Sequence, residues 1–320
     1  MPEETIMMKK RTVSLDWKQI KLLIPFLGLT AVILFFQIVS EGRLLSLSNL
    51  KTVLNEGIFI MIGAIGYSFV MTQGNLDFSV GPNMAVSCSV IALVAANNPP
   101  LGVILGILTG TIIGVLNGFL HVFGKISAFV ATLAMQFILS GLVIILLNGG
   151  FVSAPLAMLE WNTVSLKLTV LAIIAALGFL LFNFTKFGKN ARAVGSNEQA
   201  AYLSGVNVKA VKMFPFIIMG FLVGVLSLFS LIRTGTASNQ TGSDFLMNVL
   251  NAVLLGGMPI TGGASARYRA AIVGSITMAF FTNGMAMMGV DSYDRQLIKG
   301  LVFLITIALS FDRKNMPVIK

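Results

Sequence analysis

Long apolar segments, separated by short polar ones, run through almost the whole chain. With about 20 apolar residues as the length of a membrane span, this pattern predicts ten transmembrane helices. They are placed at residues 22–39, 57–71, 79–96, 101–122, 128–147, 166–182, 213–232, 245–256, 270–288 and 297–311. The second, sixth, eighth and tenth are short for a span, so their ends are the least defined. The expected fold class is therefore all-α, in a polytopic membrane protein.

The distribution of Lys and Arg predicts how these helices are oriented. Cytoplasmic loops of membrane proteins are enriched in both residues, and most of the 22 here fall in segments that a ten-helix arrangement places on one side. Both termini are then cytoplasmic, with a tail at residues 1–21. Removing one central helix would put either the central loop or the C-terminal tail on the wrong side. We expect residues 1–320 to form a single transmembrane domain.

Composition supports the membrane assignment and excludes most enzyme classes. Hydrophobic residues make up 56% of the chain, charged residues 11%, and the mean hydropathy is +0.90. The formal charge of +10 lies between apolar spans rather than in a basic stripe with interleaved aromatic residues, so nucleic acid is not expected as a partner. With one cysteine, Cys88, and one histidine, His121, no metal site and no catalytic residue is predicted.

The central loop, residues 183–212, is the longest stretch without an apolar span after the first helix. It contains five Lys or Arg residues and a single acidic residue, Glu198. The positive-inside tendency therefore places this loop in the cytoplasm.

Within this loop the sequence predicts a short helix. Ser196, followed three residues later by Gln199, fits a capping box at a helix start. Gly205 suits the left-handed residue that ends a helix. A helix of about two turns is marginal in water unless something packs on it, and this one has a small apolar side at Ala200 and Leu203. We expect it to dock on a cytoplasmic partner.

Two short helices end in segments rich in glycine and proline. The second helix runs into residues 73–82 and the eighth into residues 256–263, and both helices point inward in the predicted topology. Interrupted helices at matching places in two halves of a chain indicate a translocation pathway, because irregular backbone at membrane depth persists only where protein or water satisfies it. Ordinary short cytoplasmic turns are the alternative for both segments.

Polar residues in or near these segments are candidates for the pathway or its gate. Asp77 is the one carboxylate within a broken apolar stretch, and its side chain also suits a cap that accepts from the N–H of Ser79 or Val80. Hydrogen bonding between helices is an alternative role for the polar residues of the spans. The pathway candidates are Asn75, Asp77, Ser79, Asn83, Asn248 and Asn251.

The fourth predicted helix has one glycine in each turn on a single face. Small residues at this spacing let two membrane helices approach closely, so the stripe predicts helix packing rather than a substrate site. It consists of Gly102, Gly106, Gly110, Gly114 and Gly118.

Four segments also carry a family likeness. They read GNLDFSVGPNMAVSCSV, GKISAFVATLAMQFILSGL, VGSNEQAAYLSGVNVKAVK and NAVLLGGMPITGGASARYRAAIVGSI. Taken in this order, they resemble the ribose-type permease family of bacterial ATP-binding cassette (ABC) importers. The resemblance implies a type II importer-like fold in the bacterial plasma (inner) membrane. It implies a permease subunit that forms the pathway for a monosaccharide or related small polyhydroxy solute.

The resemblance also implies partners. These are a cytoplasmic ATPase that holds ATP and Mg, an extracytoplasmic sugar-binding protein, a second permease copy or sibling permease, and the lipid bilayer. This chain has no G-x4-G-K-[ST] pattern, so ATP hydrolysis is expected in the separate subunit and no cofactor in this one. Gln199 departs from the family's E-A-A pattern. The residues implied to couple to the ATPase are Asn197, Glu198, Ala200, Ala201, Leu203 and Gly205.

The sequence gives less support to two other function classes. A secondary carrier or channel would use Asp77 as its coupling acid, but no second carboxylate or basic partner lies at a suitable spacing in the sequence. An intramembrane enzyme would need a nucleophile and a base, and the spans offer no such pair.

Overall fold

The computed structural model describes residues 17–310. The C-terminal basic residues and most of the predicted N-terminal tail lie outside this range. Within it the chain forms helices α1 Trp17–Val39, α2 Leu47–Thr72, α3 Val80–Ala95, α4 Pro99–Val122, α5 Ala128–Leu146, α6 Leu156–Leu159, α7 Val164–Phe184, α8 Lys186–Ser196, α9 Glu198–Leu203, α10 Val208–Thr234, α11 Phe245–Leu255, α12 Arg269–Met287 and α13 Ser292–Ser310. Strands β1 Phe151–Ser153 and β2 Thr236–Ser238 pair antiparallel, and Gly263–Ser265 forms a 3₁₀ turn.

Each of the ten predicted apolar segments is helical as far as the structure describes it, but the second helix is longer than predicted. The expected start was residue 57, whereas α2 begins at Leu47. A polar side chain in this first part finds one partner within the helix and one on α7: the Asn55 amide donates to the Lys51 carbonyl oxygen at 2.9 Å and accepts from the Lys167 ammonium at 3.1 Å. The helix therefore includes residues 47–56, whose polar side chains had indicated a loop.

In the described part of the chain, six helices are long and apolar enough to cross a membrane, judged by length and composition. They are α2, α4, α5, α7, α10 and α12, and shorter apolar helices lie at Leu23–Val39, Val80–Ala95 and Phe245–Leu255. The fold is that of a helical, multi-pass membrane protein. The count of ten crossings and the side on which the termini lie stay predictions.

The glycine stripe of α4 packs two other helices closely. A Cβ on Gly110 would lie 2.7 Å from the carbonyl oxygen of Gly220 on α10, and Gly106 faces Ile91 of α3. Backbones that approach this closely gain many van der Waals contacts, the main source of helix association where water supplies no driving force. The predicted packing role of the stripe is confirmed.

α2 and α10 run antiparallel, and each is followed by a non-helical segment and a shorter helix. The Arg233 guanidinium at the end of α10 lies 4.8 Å from the ring centre of Phe59 in the middle of α2. Gln73, just after α2, donates to the carbonyl oxygen of Val211, near the start of α10, at 2.6 Å. Residues 73–79 therefore lead into α3 and residues 235–244 into α11 in opposite directions. The sequence predicted the break after α11 but not the one before it.

α3 and α11 both begin at the level of the middle of a neighbouring helix. Near the middle of α2, a Cβ on Gly63 would lie 2.5 Å from the ring of Phe245, the first residue of α11. The Asn83 amide in the first turn of α3 donates to Gly110, near the middle of α4, at 3.3 Å. The non-helical segments 73–79 and 235–244 thus reach into the centre of the helix bundle from opposite ends.

Candidate functional site

The central loop forms two helices, of which the sequence predicted one. Asn197 lies between them in an extended conformation, with φ −161° and ψ 105°, and its side chain accepts from the Ala200 N–H at 2.9 Å. The prediction that Ser196 caps the short helix is wrong. Ser196 is the last residue of α8, and its hydroxyl donates to the Arg192 carbonyl oxygen at 2.9 Å.

Gly205 ends the short helix α9 as predicted. Its φ of +81° is left-handed, a conformation that glycine adopts without a steric penalty. Its N–H donates to the Tyr202 carbonyl oxygen at 2.9 Å, and the next N–H, of Val206, donates to Ala201 at 3.1 Å. This is a hydrogen-bonded helix end of the kind that glycine commonly makes.

α8, α9 and the start of α10 share a small apolar core. The buried residues of this core are Ala191, Val194, Ala201 and Val211. Ala201 therefore faces inward, toward the protein, rather than outward. This core anchors the six-residue helix α9, which would be marginal by itself.

The outer side of α9 presents an apolar surface. Leu203 is 78% exposed and the neighbouring Tyr202 is 68% exposed. Of the predicted coupling residues, those on the exposed side are Asn197, Glu198, Ala200, Leu203 and Gly205. Sequence reasoning missed Tyr202, although an aromatic residue beside Leu203 in a polar loop was a usable signal.

Glu198 pairs with a lysine on the next helix. The Lys212 ammonium lies 3.0 and 3.2 Å from the two carboxylate oxygens of Glu198. The carboxylate side chain is 56% exposed, so solvent screens the pair and its contribution to stability is small. The Glu198 carboxylate remains accessible from outside the protein.

α8 packs directly against the end of α2 and against the turn between α11 and α12. We term this contact the glycine junction; it is formed by Thr72, Gly195, Gly262 and Gly263. Cβ atoms on Gly195 and on Gly262 would each overlap the Thr72 carbonyl oxygen at the end of α2. A Cβ on Gly195 would also lie 2.9 Å from the N atom of Gly263. Because the backbone of α8 contacts the backbone of both segments directly, α8 cannot shift without moving α2 or the turn between α11 and α12.

A hydrogen bond reinforces this junction. The Ser196 hydroxyl accepts from the Ala264 N–H at 2.8 Å. Beside it, the Gln73 amide donates to the Val211 carbonyl oxygen at 2.6 Å, which ties the end of α2 to α10. Direct contacts thus link α8, and with it the exposed surface of α9, to the predicted chain breaks at residues 73–82 and 256–263.

The Asp77 side chain adopts the capping arrangement that the sequence allowed. Asp77 is 2% exposed, and its Oδ1 accepts from the Ser79 N–H at 2.9 Å and from the Ser79 hydroxyl at 2.7 Å. The Asn117 amide in turn donates to the Ser79 hydroxyl oxygen at 2.7 Å. Asp77 and Ser79 therefore belong to one buried hydrogen-bonded group at the start of α3.

The other pathway candidates are spread over two regions. The Asn75 Nδ2 atom lies 3.5 Å from the His121 Nε2 atom. The Asn83 amide donates to the carbonyl oxygen of Gly110 on α4. Asn251 is fully buried and donates to the Lys299 carbonyl oxygen at 3.1 Å, whereas Asn248 lines a cavity of about 300 Å³. Their role in a pathway stays a prediction.

Comparison with known proteins identifies the family. Residues 49–307 match the family described as branched-chain amino acid transport system / permease component. The chain belongs to this permease family. The matched region of the permease contains the α8–α9 surface, the glycine junction and the non-helical segments 73–79 and 235–244.

The permease is similar to curated proteins over nearly its whole length. It is 33% identical to the ribose import permease protein RbsC of Bacillus subtilis (strain 168), over 91% of this chain and 92% of the relative. It is 27% identical to the RbsC protein of Escherichia coli (strain K12), over 88% and 91%. It is 25% identical to the xylose transport system permease protein XylH of the same strain, over 90% and 91%. No solved structure matches the permease.

These matches confirm the family resemblance carried by the four sequence segments. The family is a permease component of transport systems, so the chain is a membrane-embedded transport subunit rather than a catalytic one.

Proposed function

We propose that this permease is the membrane subunit of an ABC importer for a monosaccharide or a related small polyhydroxy solute. The relatives named above are ribose and xylose permeases that align with nearly all of the chain. The glycine junction is the observation that carries the coupling part of the proposal. It joins an exposed docking surface to the two interrupted regions of the helix bundle by direct backbone contact.

The proposed arrangement has ten crossings of the bacterial inner membrane, with both termini and the α8–α9 surface in the cytoplasm. The distribution of Lys and Arg supports this orientation. The ends of α2 and α11 then face the cytoplasm, and the segments containing β1 and β2 face outward.

A cytoplasmic ATPase, which holds ATP and Mg, would receive α9 in a groove. Tyr202 and Leu203 supply the exposed apolar side chains, and the Glu198 carboxylate supplies a charge beside them. Short helices that dock by an apolar face are a common recognition mode. Closure of the ATPase would move α8 and, through Gly195, the end of α2, which opens the pathway toward alternate sides.

Two further partners belong to the proposal. An extracytoplasmic sugar-binding protein delivers the solute at the outer face, and a second copy of this chain or a sibling permease completes the membrane part. The family membership supports such an assembly in general terms.

Reconstitution tests this function. The permease is placed in proteoliposomes with its ATPase and binding protein, and uptake of radiolabelled D-ribose and D-xylose is measured with and without ATP. We expect uptake that requires both ATP and the binding protein. Uptake by the permease alone, driven by a proton or sodium gradient, would instead establish a secondary carrier.

The docking surface is tested separately by co-purification of the ATPase. Leu203→Ser removes an apolar contact without disturbing the α9 core, so we expect the ATPase to be lost or strongly reduced in the purified complex. Leu156→Ser is the matched control, because Leu156 is 82% exposed but lies on α6, far from α9. Equal recovery of the ATPase with both variants would remove α9 from the interface.

A further inference from the structure

α7 is the least buried of the six candidate spans in the described chain, with 11% of its most apolar stretch buried. It ends in an exposed aromatic pair. Phe179 is 45% exposed, and Phe184, the last residue of α7, is 68% exposed. Their ring centres lie 5.6 Å apart, and Leu180 beside them is 52% exposed. This apolar surface suits contact with the acyl chains of the bilayer.

Two lysines follow the aromatic pair directly, on the next helix. Lys186 is the first residue of α8 and Lys189 lies three positions later, so the two are neighbours on the helix surface. Both are exposed, whereas the buried residues of α8 are Gly188, Ala191 and Val194. The two ammonium groups therefore face away from the protein, beside the end of α7.

Thr185 fixes how α8 leaves α7. Its hydroxyl donates to the Leu181 carbonyl oxygen of α7, and the hydroxyl oxygen accepts from the Gly188 N–H of α8 at 3.3 Å. This one side chain is thus hydrogen-bonded to both helices, and no other residue lies between them. The lysines at the start of α8 are therefore held in a defined position next to the aromatic pair.

The positive charges of these lysines are not neutralised within the described chain. Among residues 17–310, neither Lys186 nor Lys189 forms an ion pair. The central loop contains one acidic residue, Glu198, and it is paired with Lys212. Two free cations beside an apolar surface at the end of a membrane span are complementary to an anionic lipid headgroup.

The position of this patch favours a lipid over the ATPase as its occupant. The docking residues Tyr202 and Leu203 lie on α9, beyond the far end of α8. α8 has 11 residues and is therefore about 16 Å long. The aromatic pair, in contrast, belongs to a membrane span, which lipid surrounds.

We propose that Phe179, Phe184, Lys186 and Lys189 bind an anionic phospholipid of the bilayer leaflet next to α8. The two ammonium groups contact its phosphate-containing headgroup, and the two phenyl rings contact its acyl chains. We term these four residues the α7–α8 lipid site.

A lipid bound there also acts on coupling. Gly195, near the other end of α8, is in close backbone contact with Thr72 at the end of α2. A headgroup that holds the start of α8 therefore steadies the helix through which α9 acts on the bundle. This effect on coupling rests on the proposed function, whereas lipid binding itself does not.

The binding test uses the full-length permease in detergent, titrated with phosphatidylglycerol or with phosphatidylcholine, which has no net charge. Native mass spectrometry counts the retained lipids. We expect Lys186→Gln/Lys189→Gln to lower the affinity for phosphatidylglycerol by about twenty-five-fold, since each lysine near an anionic surface contributes about fivefold. Lys186→Arg/Lys189→Arg should retain this affinity, because it keeps both charges.

The matched control is Lys51→Gln/Lys125→Gln, which removes two exposed charges outside α8. It should bind phosphatidylglycerol as the wild type does. Equal affinity of the Lys186→Gln/Lys189→Gln variant and the wild type, or an equal loss in the control, would overturn the site. Should the double variant fail to assemble, each single variant is expected to lose about fivefold.

The effect on coupling is measured in proteoliposomes that contain the complete transporter. As phosphatidylglycerol replaces phosphatidylcholine, we expect the solute-stimulated ATPase activity of the wild type to rise. The Lys186→Gln/Lys189→Gln variant should lose this lipid dependence. A variant with weakened lipid binding but the wild-type lipid dependence would overturn the effect on coupling.

The outcomes separate this inference from the proposed function. If the wild-type transporter imports neither D-ribose nor D-xylose with ATP in any of these lipids, the proposed function fails, and the titration still decides the lipid site. If Lys186→Gln/Lys189→Gln loses the ATPase on co-purification but keeps its affinity for phosphatidylglycerol, the two lysines belong to a protein interface and the lipid site is wrong.

Discussion

Gly195 of α8 lies so close to Thr72 at the end of α2 that a Cβ on the glycine would overlap the threonine carbonyl oxygen. A Cβ on Gly262, in the turn between α11 and α12, would overlap the same oxygen. One carbonyl group thus joins three separate segments of the chain. Because close-packed interiors transmit displacement rather than absorb it, this relationship makes α8 a lever on α2.

Enlarging Gly195 should uncouple the transporter. A Gly195→Val side chain pushes α8 away from α2, at a cost of about 1–3 kcal/mol for overpacking. We expect solute-stimulated ATPase activity to fall strongly while the permease still inserts into the membrane. Gly141→Val is the control, since a Cβ at Gly141 has nothing within 4 Å. Stimulated activity at the wild-type level would show that motion does not pass through this contact.

Gly205 allows a test of the docking helix that does not alter packing. A Cβ at Gly205 would meet nothing within 4 Å, but the φ of +81° strains any other residue. We expect Gly205→Val to reduce solute-stimulated ATPase activity and Gly205→Asn to retain most of it, because asparagine tolerates the left-handed region better than valine. Equal activity of the two variants would indicate that the turn has no part in coupling.

Asp77 distinguishes a structural cap from a coupling acid. Asp77→Asn keeps an oxygen that accepts from the two Ser79 donors, whereas Asp77→Leu leaves both donors unpaired, at about 1–3 kcal/mol each. We expect Asp77→Asn to assemble and to transport, and Asp77→Leu to lose thermal stability in detergent. An Asp77→Asn permease that assembles normally but no longer transports would favour the coupling-acid alternative.

The contact between α4 and α10 should be essential for stability. A Cβ on Gly114 would overlap the Phe216 carbonyl oxygen and lie 3.0 Å from the Cα of Gly220. We expect Gly114→Val to lower the thermal unfolding midpoint clearly, because the two helices must separate. Leu116→Val, at a position 45% exposed on the same helix, should have little effect. Similar midpoints for both variants would contradict the packing role.

The helical segments could be predicted because a membrane span needs a minimum length of apolar residues, and this signal is strong. Prediction failed where polar groups find partners in the fold. α2 continues back to Leu47 because Asn55 is paired with Lys51 and Lys167. That pairing involves a residue more than a hundred positions away, so no local pattern reports it.

The short helix of the central loop shows the same limit at a single residue. The sequence predicted Ser196 as the cap, although Asn197 is an equally good capping residue. The structure selects Asn197, because α8 extends through Ser196 and the Ser196 hydroxyl bonds to Arg192 and Ala264. Tertiary packing thus decided between two local signals of similar strength.

By itself the sequence determined the helical membrane class, the family likeness, the glycine stripe of α4 and the helix end at Gly205. These features depend on local composition, residue spacing and the conformational preference of glycine. Only the tertiary structure decided that α8 rests on Thr72 and that α2–α3 and α10–α11 run in opposite directions. The physical reason is that such contacts join residues distant in the chain, and packing of the whole bundle selects them.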